Sequence, residues 1–345
     1  QSSALAPTES EFGWFAYLAR ESRWDEFGEN LQRRAERADW TPSAAFAIYQ
    51  ELDHEKIPEA FRRFDRVLRP TGELTWLCDL ALARYETLEG DPEDPRLVTI
   101  KTGKDYTERM QTWAEQRLDE LADENLHGFV FKSRSPSSGL YRVKVYNEHG
   151  MPSQTGTGIF PREVMRRFPL LPLEEDGRLH DMGLRENFIE RVFVYRRWTY
   201  LLDTNPTPAG VVAFHTAHKL TMMAHSPEHY QKMGRLVAQA GDLPWAELVQ
   251  RYGQLLMEGL KVMTTTGRHV NVLQHLMGYL KDFLDQHDKA ELLGVIQDYQ
   301  RELVPLIVPV TLLRHHLNRN AVPEWVHKQV YLRPYPKELM LRNHV

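Results

Sequence analysis

Apolar positions recur at helical spacing over most of this chain. Between residues 208 and 319, successive segments carry apolar residues every three or four positions, and proline or glycine falls at most of the joints between segments. A period near 3.6 residues is that of an amphipathic helix, and proline and glycine commonly mark helix ends. The pattern therefore predicts an all-helical domain over residues 210–345.

A different pattern occupies residues 90–202. The β-branched run RLVTI precedes an amphipathic segment, DYTERMQTWAEQRLDELAD, and two strand-like runs follow, HGFVF and LYRVKVY. Strand, helix and strand in this order are typical of a parallel α/β unit. The predicted fold class is therefore a partial, Rossmann-like α/β region with helices before it, followed by a separate all-α domain. Residues 203–209, which contain DTNPTP, are predicted to be the linker.

Residues 1–89 have a helical pattern of their own, of unclear relationship. Thr41 and Pro42 suit the N-cap and first position of one helix, and a turn at residues 70–72 ends the next. In the third segment Cys78 shares an apolar face with leucine and alanine. A small buried side chain is the simpler interpretation of Cys78, and a ligand or nucleophile is the alternative.

Composition is that of an ordinary globular protein. The chain has 345 residues, of which 42% are hydrophobic and 26% are charged. No apolar run approaches the ~20 residues of a membrane span, and no signal peptide is recognised, so no membrane partner is expected. The single cysteine excludes an internal disulfide and favours a cytoplasmic location. The net charge of −5 gives no strong indication of a nucleic-acid partner.

The stretch KSRSPSSG, residues 132–139, places two cations and four hydroxyls between two strand-like runs. Such groups, with nearby backbone N–H donors, can bind a phosphate or the edge of a nucleobase. Alternatively, the serines cap the turn and bond their own backbone. Both interpretations stay open. The candidate residues here are Lys132, Ser133, Arg134, Ser135, Ser137, Ser138 and Gly139, with Lys144 on the following strand.

Eleven of the 15 histidines lie after residue 210. Their spacing does not form a usual zinc motif, so no metal site is predicted. Imidazole and basic groups can instead contact RNA phosphates, and rings can stack on unpaired bases, although core and surface roles are the alternative. The candidate RNA-binding residues in the helical segments are Arg196, Arg197, His215, His218, Lys219, Arg268, His269, Asn271, His275, Lys281, Arg314 and His315.

Several runs resemble known families. The helical part resembles the DUF1722 domain of bacterial YbgA proteins in HTAHKLTMMAHSPEHYQKMGRLVA, TTTGRHVNVLQHLMGYLKDFL, YQRELVPLIVPVTLLRHHL and QVYLRPYPKELMLRN. The preceding part resembles the DUF523, or thiouracil desulfidase-like, family in GDPEDPRLVTIKTGKDYTERM, GFVFKSRSPSSGLYRVKVYNEHGMPS and GRLHDMGLRENFIERVFVYRRW. Together they are similar to bacterial desulfidases that remove sulfur from 4-thiouridine in tRNA.

This resemblance implies a cofactor and a site. In the family, cysteines hold a [4Fe–4S] cluster that abstracts the sulfur, and one of them often lies in an SPSCG loop, where this chain has Ser138. Ser135, Ser138 and Cys78 are the implied catalytic positions. Serine is a poor substitute for thiolate, so we expect neither cluster binding nor desulfuration by the family mechanism.

Three hypotheses follow for the function. The chain is a desulfidase-like enzyme that acts on thiolated uridine, a non-catalytic homologue that binds tRNA or another RNA, or a structural helical protein. Binding of a thiolated nucleobase or tRNA is the expected partnership under the first two hypotheses.

Overall fold

The computed structural model describes residues 86–100 and 103–344. The chain divides into two compact units, residues 1–89 with 96–106, and residues 90–95 with 107–345. Cys78 and the helices predicted before residue 86 lie outside the described residues. In the part of the chain that is described, no helix combines the length and apolar character of a membrane span.

Two strands begin the described residues. Strand β1 (Glu86–Asp91) is hydrogen-bonded to β2 (Asp94–Thr99), and a turn of two residues joins them. Leu88 and Leu97 are fully buried. The prediction of helix up to residue 89 is wrong at its last four residues, because pairing with β2 across the tight turn overrides the local helical spacing. The run RLVTI is thus a strand.

The α/β part of the second unit alternates short strands with two helices. In chain order it contains α1 (Thr107–Asp123), β3 (Phe129–Phe131), β4 (Val143–Tyr146), β5 (Pro152–Gly156), α2 (Ile159–Arg167) and β6 (Leu173–Glu175). Strands β4 and β5 are antiparallel, whereas β3 and β6 are parallel. Helix α1 buries one apolar face, formed by Met110, Ala114, Leu118 and Leu121.

The predicted fold class is confirmed, with one correction to strand pairing. The order of strand, helix and strand suggested that RLVTI and HGFVF would form the parallel pair. Instead β2 pairs with β1, and the parallel partner of β3 is β6. A tight turn makes β1 and β2 neighbours at little cost in chain entropy, and periodicity alone does not identify partners.

Everything from residue 182 onward is helical, as predicted. The helices are α3 (Met182–Thr204), α4 (Pro208–His225), α5 (Pro227–Ala238), α6 (Trp245–Lys261), α7 (Thr266–Gly278), α8 (Gln286–Gln300), α9 (Ile307–Arg319) and α10 (Glu324–His327). Short 3₁₀ turns occupy Arg178–His180, Val330–Leu332, Lys337–Leu339 and Leu341–Asn343. Side chains that accept an N–H of the first turn begin five helices, which explains their bounds: Asp181, Thr207, Ser226, Thr265 and Asp285.

Helix α3 packs into the core of the helices that follow it. Trp198 is fully buried, and its ring lies 5.4 Å from Phe214 of α4 and 5.0 Å from Tyr252 of α6, measured between centroids. The predicted linker, residues 203–209, contains the last residues of α3, a three-residue loop and the start of α4. Helix α3 therefore joins the α/β part to the helical part.

Candidate functional site

The serine-rich loop, defined as residues 132–139, begins where strand β3 ends. Strand β3 runs parallel to β6, with Phe131 opposite Glu175, so the loop lies at the carboxyl end of this parallel pair. Open α/β sheets bind their ligands at this end of their strands. Two acidic residues at the end of β6, Glu175 and Asp176, hold the loop and the residues that follow it there.

Asp176 holds the first residues of the serine-rich loop. Its carboxylate accepts hydrogen bonds from Lys132 Nζ at 2.7 Å, from Ser133 Oγ at 2.8 Å and from the Ser133 N–H at 3.0 Å. The bond from Lys132, followed by those from Ser133, holds the pKa of Asp176 well below its usual range. Exposed Lys132 and half-buried Ser133 are therefore both engaged by Asp176.

Glu175 holds the other end of the loop. This carboxylate is only 4% exposed and accepts the N–H groups of Leu140 at 2.8 Å and Tyr141 at 2.9 Å. The Gly139 N–H donates to the Ser135 carbonyl at 2.6 Å. Three successive N–H groups that could have bound an anion thus already have acceptors.

Three hydroxyls remain in the middle of the loop. Ser135 Oγ lies 3.1 Å from Ser137 Oγ and accepts the Ser138 N–H at 3.2 Å. Within the described residues, the Ser138 hydroxyl has no hydrogen-bond partner. All three serines are half-buried. Because hydroxyls donate and accept, this set suits a neutral polar edge better than a phosphate.

Two glycines allow the start of α2 to press against the loop. The Gly158 N–H donates to the Gly139 carbonyl at 2.7 Å, and the Phe160 N–H to the Ser137 carbonyl at 3.0 Å. A Cβ on Gly158 would lie 2.9 Å from the Pro136 carbonyl oxygen. Only a residue without a side chain fits this approach, so the conformation of the loop is fixed by packing as well as by hydrogen bonds.

Gly158→Ala is expected to lower the free energy of unfolding by about 1–3 kcal/mol, because the added methyl group overpacks against loop backbone. Urea unfolding followed by circular dichroism measures the loss. Gly234→Ala is the control, since its Cβ would meet open space on helix α5 and alanine favours a helix. Equal stability of the two variants would contradict the close packing of Gly158 against the loop backbone.

Strained backbone occurs within the loop, at Arg134, and shortly after it, at Arg142. Arg134 and Arg142 adopt φ angles of 62° and 53°, in the left-handed region that residues other than glycine seldom occupy. Such conformations cost free energy and persist where the surroundings enforce them, often at ligand sites. The strain is consistent with a loop whose shape serves more than chain reversal.

An aromatic ring and a guanidinium group stand beside the serine-rich loop. The Tyr141 ring is 40% exposed, and the Arg178 guanidinium lies 4.9 Å from its centroid. Arg178 donates to Glu174 at 2.7 Å, and Arg191 approaches the same carboxylate at 3.7 Å. Burial, and then the charge of Glu174, raises the pKa of Tyr141. Flat groups of this kind can stack on a base.

Sequence reasoning missed the residues that build this site around the serines. Tyr141, Arg178 and the acidic residues at the end of β6 were not among the candidates. The sequence offered one signal, because the acidic run EED directly follows the apolar run LLPL. Lys144, which was a candidate, is exposed on β4 beyond the loop.

Three histidines predicted to contact RNA lie in the helical core. His218 Nδ1 bonds the Phe214 carbonyl at 2.8 Å, and its ring stacks on Phe214 at 3.8 Å. His215 Nδ1 lies 3.3 Å from the Tyr252 hydroxyl, and His269 Nδ1 lies 2.9 Å from that of Tyr331. Burial lowers the pKa of His215 to about 4 and those of His218 and His269 to about 3. All three rings are neutral at pH 7.

Other candidates of the helical part have structural contacts or are exposed. Arg268 donates to the carbonyls of His225 at 2.8 Å and Met263 at 3.1 Å. Lys219 lies 3.5 Å from the centroid of Trp325. The exposed candidates are Arg196, Asn271, His275, Lys281 and His315. Contact of these side chains with RNA stays a prediction.

The [4Fe–4S] cluster that the resemblance implies does not fit the residues of this chain. Such clusters are held by several cysteine thiolates, whereas the chain has one cysteine and the loop presents the hydroxyl of Ser138. In the described ranges, the one group of three potential metal ligands is His287, Asp288 and Glu291, in the first turns of helix α8, where His287 and Glu291 are exposed. No step of a reaction is therefore derived through a cluster.

Known proteins match two parts of the chain separately. Residues 78–176 match the model of the 2-thiouracil desulfurase family, beginning at Cys78, and residues 219–336 match that of DUF1722, a protein family of unknown function. The "Uncharacterized protein YbgA" of Escherichia coli K12 is 27% identical over 157 residues, which cover 44% of this chain and 90% of YbgA. No solved structure matches the chain. The chain thus joins a region that resembles 2-thiouracil desulfurases to one that resembles DUF1722 proteins.

Proposed function

We propose that this chain binds RNA containing thiolated uridine, such as tRNA, with the modified base at the serine-rich loop, and that it leaves the sulfur in place. The observation that carries this proposal is the set of three hydroxyls, from Ser135, Ser137 and Ser138, held at the carboxyl end of β3. The match to 2-thiouracil desulfurases supports a sulfur-bearing uracil as the ligand.

The chemistry of the site suits a uracil ring. A uracil edge offers both an N–H donor and acceptors at its carbonyl or thiocarbonyl groups, and serine hydroxyls can satisfy either kind. The face of the ring requires a flat partner. Tyr141, with Arg178 over its ring, provides such a partner beside the loop.

The surroundings of the loop oppose phosphate binding at this place. Asp176 neutralises Lys132, and Glu175 takes the N–H groups that follow the loop. A phosphate would meet the carboxylates of Glu175 and Asp176 at the end of β6, whereas a neutral base would not be repelled. The loop is therefore the site for the base, and contacts to the RNA backbone must come from other residues.

Ser138→Ala is expected to weaken binding of a short 4-thiouridine RNA about 2- to 10-fold, the effect of losing one neutral hydrogen bond. Fluorescence anisotropy with a labelled oligonucleotide measures the affinity. Ser153→Ala is the matched control, because the Ser153 hydroxyl bonds Thr155 on β5 and lies outside the loop. Indistinguishable affinities for the two variants would overturn the assignment of the loop.

The affinity for RNA is also expected to fall steeply with salt, because phosphate contacts release counterions. Titrations of the same oligonucleotide between low and physiological ionic strength give the slope of log K against log salt. Binding that does not respond to ionic strength would exclude RNA as the partner and leave the free base.

A further inference from the structure

A cavity of about 370 Å³ lies in the helical part, between α3, α9, α10 and the turn that follows α10. Its lining is strongly basic. Of the described residues that line the cavity, none is acidic. The polar side chains on which the argument depends are Arg197, Arg314, Asn318, His327, Lys328 and Arg333.

Two guanidinium groups at this cavity have buried donors without a partner. They are Nη1 of Arg197 and Nε of Arg314. Another nitrogen of Arg197, Nη2, donates to the Pro334 carbonyl, which fixes the orientation of that side chain. A buried donor that lacks an acceptor costs free energy, so a ligand with acceptor oxygens would be stabilised here.

The positive charge around the cavity is only partly compensated. Burial, and then the charge of Arg333, lowers the pKa of Arg314. Burial also lowers the pKa of Arg197, and the charge of Glu190 opposes this shift. Glu324 pairs with exposed Lys328 at 2.7 Å. Arg314 and Arg333 both line the cavity and repel each other, so an anion bound there would relieve their repulsion.

We infer that this cavity binds the phosphate group of a ribonucleotide, either as a free nucleotide or within RNA. Guanidinium forks match phosphate oxygens in geometry and charge, and their bonds are about twice as strong as neutral ones. The volume exceeds what a phosphate alone requires and lies in the range of small-molecule sites, so the attached sugar also has room. This inference goes beyond the proposed function, since none of its residues belongs to the serine-rich loop.

Calorimetric titration of the full chain with uridine 5′-monophosphate, inorganic phosphate and a short unmodified RNA tests the inference. Arg314→Gln is expected to weaken binding of the nucleotide or the RNA about tenfold or more, as loss of a charge-assisted contact does. Arg333→Gln is the second test variant and is expected to weaken binding in the same way. Because Arg333 is exposed, this variant can be measured even if Arg314→Gln fails to fold. Arg319→Gln is the control. It removes the same charge from an exposed position at the end of α9, and Arg319 does not line the cavity.

The three probes separate the sources of the phosphate. Arginine-dependent binding of uridine 5′-monophosphate supports a nucleotide site, and arginine-dependent binding of RNA without nucleotide binding supports a backbone contact. The inference is overturned if no probe binds, or if Arg319→Gln weakens binding as much as Arg314→Gln and Arg333→Gln. Ser138→Ala leaves the cavity intact, so failure here and failure of the base-binding proposal are distinguishable.

Discussion

Acidification from pH 7 to pH 5 is expected to lower the free energy of unfolding by several kcal/mol. Burial holds the pKa of His215 at about 4 and those of His218 and His269 at about 3, below the unfolded value of 6.5. A histidine whose folded pKa is depressed contributes stability above its unfolded pKa and loses it as the pH falls below that value. Each of the three therefore contributes about 2 kcal/mol less at pH 5 than at pH 7.

His225 acts in the opposite direction. Burial alone would lower its pKa, but the hydrogen bond and charge of Glu190, 3.1 Å from Nε2, raise it above 6.5. The stability that this pair contributes is fully present below pH 6.5 and is lost as the pH rises through the raised pKa. The pair therefore offsets part of the acid loss, and three depressed groups outweigh one raised group.

Urea unfolding at pH 7, 6 and 5 measures this dependence. His218→Gln should make the mean slope of stability against pH between pH 7 and pH 5 shallower by about two thirds of a proton, whatever its effect on stability at pH 7. Gln274→Ala, at an exposed position of α7, removes no titrating group and should leave the slope unchanged. A stability that is flat between pH 7 and pH 5 would show that the imidazoles are not held neutral.

Arg342→Met is expected to lower the free energy of unfolding by about 3–5 kcal/mol, because two buried carboxylates lose the positive charge of this arginine. Arg342 is 4% exposed, and its guanidinium lies 3.5 Å from Glu186 and 3.9 Å from Glu190. It also donates to the Tyr331 carbonyl at 2.6 Å. Burial, and then Glu190, raises the pKa of Glu186, so loss of the cation would favour a protonated acid there.

Urea unfolding at pH 7 measures the effect of Arg342→Met, with Arg319→Met as the control. Arg319 is exposed at the end of α9, and its replacement should change stability by less than about 0.5 kcal/mol. A loss for Arg342→Met no larger than for the control would contradict the role of this side chain, which links α3 to the last described turn.

The sequence predicted the helical elements well, because each helix has its own face and caps. The apolar face of α1 was visible from Met110 to Leu121, and Thr207 and Ser226 lie where caps belong. The pairing of strands was harder to predict from the sequence. The parallel partner of β3 lies more than 40 residues away, beyond β4, β5 and α2, and periodicity carries no information about such distances.

The candidate site could be predicted only in part, because it too depends on contacts between residues far apart in the sequence. An excess of hydroxyls identified the serine-rich loop, but the role of the loop depends on two carboxylates far along the chain. Asp176 engages Lys132 and Ser133, 43–44 residues earlier, and Glu175 accepts the Leu140 N–H, 35 residues earlier. The core position of one histidine had a local signal, since His218 lies four residues after Phe214, on the same face of α4. The basic cavity joins α3 to residues near Pro334, and no local pattern reveals it.

Iron and acid-labile sulfide, measured after anaerobic reconstitution of the full chain, test the central claim most directly. That claim is that hydroxyls of the serine-rich loop, rather than an iron–sulfur centre, form the site for the base. The account predicts iron far below one cluster per chain and 4-thiouridine whose absorbance persists after binding. Stoichiometric iron and sulfide, together with loss of that absorbance, would contradict it.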